Sequence, residues 1–251
     1  MRGMVPPKDS VMTYCVGLLL DAGVVLLSDT RTNAGLDNIA TYRKMFLFEQ
    51  PGDRAIGIMT AGSLSITQTV MARLADANEE PDNERSILRA PTMLQVAELV
   101  GATLSDVTSD VKSKMERMSQ TATASMIVAG QRKGGPMRMF LIYPEGNFIE
   151  ATADTPFLQI GEHKYGKPIL DRVIEPGTSL GDAEKAVLLS MDSTLRSNLS
   201  VGMPLDFAVI EADAFRIGRT RRIEADDEGF ARMSAAWSEA LRNAFQEIDP
   251  I

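Results

Sequence analysis

A chain of 251 residues with 44% hydrophobic side chains fits one large domain with a substantial core. Its formal net charge of −8 sets the surface against phosphate and argues against nucleic acid as a partner. The single cysteine, Cys15, excludes an internal disulfide and fits a reducing compartment. No apolar run is long enough to cross a bilayer, so a cytoplasmic location and no membrane partner are expected.

Residues 1–12 are polar, carry Pro6 and Pro7 and show no period. They read as a leader, a tag or a misplaced start, to be removed or disordered, ahead of a single domain over 13–251. Thr13–Leu20 and Val24–Asp29 are apolar runs joined by "DAG", a hairpin signal in which Leu20 is expected to face Val24. Lys44–Glu49 and Arg54–Ala61 repeat the plan around "QPGD". Ser63 is a candidate cap for a helix reaching about Asn78. A longer helix opens near Thr92 and carries a core-facing stripe from Ala97 through Val111 and Met115 to Met118. Strands return in "ATASMIVAGQRKGGPMRMFLIYPEGNFIEA". Helices are predicted at about Lys164–Ile174 and Gly181–Asn198, a last hairpin in "PLDFAVIEADAFRIGRT", and a C-terminal helix over about 226–248. Its Phe230, Met233, Trp237, Leu241, Ala244 and Ile248 stripe is expected to pack on its own domain, with an intersubunit contact as the second choice. Hairpin-joined strands with helices in pairs between them imply an α+β fold: two antiparallel sheets face to face, helices outside.

The chemistry gathers at the first hairpin. If everything through Met12 is removed, Thr13 owns a free α-amine, whose pKa of about 7.7–8.0 leaves a useful neutral fraction near pH 7. That amine can take the proton of its own hydroxyl and make Oγ nucleophilic. In the expected register Thr13 and Asp29 are diagonal neighbours, roughly 7–8 Å apart at Cα. Lys44, at the start of the next strand, would fill the gap. Its charge would be held by Asp29 and would favour the alkoxide.

These residues resemble the proteasome-type N-terminal nucleophile (Ntn) hydrolases, and in detail the bacterial Anbu (ancestral β-subunit) branch. The likeness is carried by "TYCVGLLLDAGVVLLSDTRTNAG", Lys44 in "YRKMF", "TAGS" and "RSNLSVG", and runs from Thr13 to about Gly218. It implies a four-layer αββα sandwich and a threonine peptidase that cleaves amide bonds in peptides. It implies Thr13 as nucleophile, Asp29 and Lys44 as its partners, Gly62 as oxyanion donor and Ser200 as orienter of the amine. Thr32, Asn33 and Thr60 would line the substrate, no cofactor or metal is called for, and copies would assemble into a ring or open spiral. The sequence departs from the family where Ser197 replaces an aspartate and Glu162 a serine. The alternatives are a ring-forming scaffold or binding protein with little or no activity, and a small-molecule amidase on the same fold. Cys15 reads as a small buried side chain, and His163, the one histidine, as structural.

Overall fold

The computed structural model describes residues 13–33, 39–115 and 122–249; the expected leader, residues 1–12, and Met118 of the expected helical stripe lie outside them. Two five-stranded antiparallel sheets form the centre. The first joins β1 (Tyr14–Leu20), β2 (Gly23–Asp29), β10 (Phe157–Gly161), β11 (Leu205–Glu211) and β12 (Thr220–Ile223) in the order β10-β1-β2-β11-β12. The second runs β5 (Met45–Gln50), β6 (Arg54–Gly62), β7 (Ala124–Arg132), β8 (Arg138–Ile142) and β9 (Phe148–Glu150) in sequence order. A short ribbon, β3 (Arg31–Asn33) with β4 (Ile39–Thr41), extends from the end of β2.

The faces of these sheets explain the layers. Ile56, Ile58, Val128 and Phe140 of the second sheet pack against α1 (Leu64–Glu79) and α2 (Met93–Met115), meeting Ile66, Val70, Val100 and Leu104. Val16, Leu18, Val25 and Leu27 of the first sheet pack against α3 (Lys167–Val173) and α4 (Leu180–Ser197), meeting Leu170, Val187 and Met191. Residues of opposite parity, Leu26, Met59, Ile127 and Ala208 among them, fill the space between the sheets. The result is the αββα sandwich. α5 (Glu228–Glu247) closes the chain, with its Asp227 cap accepting from Phe230 N–H.

Three expectations are corrected. The hairpin register is one residue tighter, Leu20 facing Gly23 and Cys15 facing Ser28, because the turn is the two residues Asp21 and Ala22. β10 and the β3–β4 ribbon had no strand signal, being short runs that only pairing defines. Finally, only the first half of the α5 stripe packs on the core, through Phe230 and Met233, while Leu241 is 50% exposed.

Candidate active site

Thr13 stands immediately before β1 and is buried. Its carbonyl accepts from Glu162 N–H at 2.7 Å, beyond the end of β10. Gly161 makes this approach possible. It has φ +83°, and a Cβ there would lie 1.9 Å from Thr13 O, so glycine is required.

The next peptide meets the charged pair. Tyr14 N–H donates to Asp29 Oδ1 at 3.1 Å, and Lys44 Nζ donates to the same oxygen at 2.8 Å. Strict alternation in the observed register would turn Asp29 to the helix side with Leu27. Asp29 ends its strand, and there its carboxylate engages Tyr14 N–H and Lys44 together. Gly202 N–H donates to Asp29 Oδ2 at 3.3 Å, and Lys44 Nζ also donates to Arg31 O at 2.6 Å. Both charged residues are buried. Burial pushes the Asp29 carboxyl upward; the Lys44 ammonium and the two backbone N–H groups oppose that shift and favour the carboxylate.

Thr60 backs the lysine. Its N–H donates to Lys44 O at 2.9 Å, and its hydroxyl, on a side chain almost without exposed surface, points to the same carbonyl at 3.5 Å. The expected substrate-lining Thr60 is thus placed as a support of Lys44. Two residues on, Gly62 N–H points to the same side of β6, past the start of β5 at Met45. Gly62 itself is exposed, has φ +107° and abuts Ser63, the cap residue of α1. A backbone N–H so placed suits a developing oxyanion.

Thr32 lies half-buried on β3 beside Arg31, and the backbone of Asn33 pairs with Ile39. Ser200 follows α4; its hydroxyl donates to Asn198 Oδ1 at 2.5 Å and its N–H to the same oxygen at 2.9 Å. In that loop it is Gly202 that reaches Asp29, and Arg31 that ties back to Leu199 O at 3.1 Å. Sequence reasoning missed Gly161, Gly202 and the Arg31 carbonyl. Gly202 was in view within "RSNLSVG", but backbone groups carry no residue-type signal. Cys15 has no exposed surface, its thiol donates to Thr60 O, and burial pushes it up, beyond reactivity. His163 is exposed, its Nδ1 beside Gly161 O at 3.1 Å. No cluster of three or more metal-ligating side chains occurs among the described residues.

The chain that carries this arrangement has relatives among known proteins. The proteasome subunit family matches residues 12–210. The chain belongs to that family. Its fold is also that of solved Anbu structures. An Anbu mutant from Hyphomicrobium sp. strain MC1 is 49% identical, with 95% of this chain and 99% of that one covered and a TM-score of 0.87. Anbu (ancestral beta-subunit) from Yersinia bercovieri is 41% identical, with 95% and 98% covered and a TM-score of 0.89. A helical assembly of the Anbu complex from Pseudomonas aeruginosa is 42% identical, with 95% and 98% covered and a TM-score of 0.90. No curated protein matches the chain. Among the described residues of this proteasome-family chain, no helix is long and apolar enough to cross a membrane.

Proposed function

We propose that this chain is a cytoplasmic threonine peptidase that cleaves amide bonds in peptides once residues 1–12 have been removed. The observation that carries the reading is the shared Asp29 oxygen, which ties the backbone next to Thr13 to the Lys44 ammonium. The freed Thr13 amine takes the proton of its own hydroxyl as Oγ attacks the substrate carbonyl. The C–O bond forms, the carbonyl electrons move to oxygen, and Gly62 N–H stabilises that oxyanion. The ammonium of Thr13 then returns the proton to the leaving amine as the C–N bond breaks. Water repeats the sequence on the acyl-enzyme and restores Thr13. Lys44, held by Asp29, lowers the cost of the alkoxide and favours the neutral amine. Thr32 and Asn33 flank the substrate strand, and Ser200 steadies the amine's side of the pocket. Copies of the chain self-associate, as the relative solved as a helical assembly does.

The test has two steps. Intact mass of protein from its native host is expected to begin at Thr13. That protein should then take one equivalent of a peptide epoxyketone, and Thr13→Ala none. A native chain that keeps residues 1–12 and resists labelling favours the scaffold. A labelled chain that cleaves small amides but no member of a peptide library favours the amidase.

A further inference from the structure

The face of the first sheet that meets the second carries one polar row. Cys15 lies opposite Ser28, Ser28 opposite Asp206, and Asp206 opposite Arg222. Side chains along such a row share a face. Cys15, Leu26, Ala208 and Ile210 assign that face to the core between the sheets. Part of the row is satisfied: Cys15 Sγ donates to Thr60 O, and Arg222 donates to Asp206 Oδ1 at 3.1 Å. Two oxygens are not. Ser28 is 0% exposed, and neither its Oγ nor the buried Asp206 Oδ2 has a hydrogen-bond partner among the described residues.

The geometry says what fits between them. Opposed residues on neighbouring antiparallel strands hold their Cβ atoms about 4.5–5.5 Å apart. Ser28 and Asp206 make no direct bond, and their side chains rise from that spacing on one face, where one molecule making two bonds of about 2.8 Å can join the two oxygens. The occupant must donate to a carboxylate oxygen, which rejects an anion. The Arg222 guanidinium on the same carboxylate opposes a second cation, and a hard cation wants about six oxygens where two are offered. A small neutral donor remains. A cavity of ≈ 290 Å³ lined by Arg43, Met45 and Arg222 reaches Asp206. Buried polar gaps of this kind are where proteins hold ordered water.

We propose that one water molecule bridges Ser28 Oγ and Asp206 Oδ2 between the sheets. The site adjoins Asp29 in sequence, and its cavity is lined by the two neighbours of Lys44. The inference does not depend on the peptidase reading.

A crystal structure of the full chain at about 1.5 Å resolution tests it directly. The expected result is an ordered peak within hydrogen-bonding distance of both oxygens, lost in Ser28→Ala. A vacant gap, a direct Ser28–Asp206 bond, or a peak ringed by six oxygens as a cation requires would each overturn it. Ser28→Ala gives a solution test. If a water is bound, removing the hydroxyl strips the bridge of one anchor and Asp206 of its donor, and the melting temperature falls by about 3 °C or more. If the hydroxyl is an orphan, removing a buried polar group that makes no bond leaves the melting temperature unchanged or raises it, and the bridge is refuted.

Discussion

Lys44 reaches the Asp29 carboxylate and the Arg31 carbonyl with one ammonium, in a pocket nearly closed to solvent. Removing it leaves a buried carboxylate with only backbone donors, and breaking a buried pair from one side costs about 3–5 kcal/mol. Lys44→Ala is therefore expected to lower the melting temperature by about 10 °C for a chain of this size. It should also slow epoxyketone labelling of Thr13 by about a hundredfold or more, measured by mass spectrometry. Cys15 makes the opposite prediction. Its folded thiol is held protonated by burial, and the thiolate is the reactive form. A disulfide reagent at pH 8 should leave native protein unlabelled and titrate one thiol after unfolding. Because the folded pKa is raised, the unfolded chain loses its proton first, and stability should decline above about pH 8.5. Thr13, Asp29 and Lys44 were legible only as a set: each alone is ordinary at a strand end or edge, and their order along the chain with Gly62 and "RSNLSVG" is what carries the resemblance. Gly161 and Gly202 were not, since what they contribute is the absence of a Cβ and a backbone N–H.

Among the elements, the strands most readily read were those that alternate or run apolar between turns. β10 escaped because its Phe157–Gly161 run is short, and pairing with β1 is what makes it a strand. The hairpin register escaped for a different reason. A two-residue and a three-residue loop fit "DAG" equally well, and only tertiary packing chooses between them. That choice puts Tyr14 on the helix side, where its hydroxyl meets Ser190 Oγ of α4 at 2.6 Å and receives Gln159 Nε2 of β10 at 2.5 Å. Burial pushes this phenol up to about 12, so it stays neutral across the physiological range. One side chain thus joins β1, β10 and α4 directly behind Thr13. Tyr14→Phe keeps the ring and leaves the buried Ser190 and the half-buried Gln159 short of a partner, at a cost of about 1–3 kcal/mol. A melting temperature about 5 °C lower in differential scanning calorimetry is the expected result. An unchanged value would mean that Ser190 and Gln159 find each other without it.

At the scale of the whole molecule, α5 leaves an apolar surface that the other described residues do not cover. Its first turns pack through Phe230 and Met233, and Ser234 Oγ donates to Asp192 Oδ1 of α4 at 2.7 Å. Further on, Leu241, Phe245 and Ile248 are 50%, 78% and 73% exposed. Spaced four and three residues apart, they fall on one helical face. An exposed apolar face of that kind is a contact surface in waiting, and the self-association proposed above supplies its cover: another copy of the chain. Burying one phenylalanine contributes about 1.5–3 kcal/mol, roughly a ten- to hundredfold change in an association constant. Phe245→Asp removes that gain and places a charge where a partner would sit. The substitution lies on an exposed turn, so the circular dichroism spectrum and melting of the isolated chain should not change. Sedimentation velocity should then show the distribution shifting toward smaller species at equal protein concentration. Particles of unchanged size would place the contact between copies elsewhere on the molecule and leave the α5 stripe to another partner.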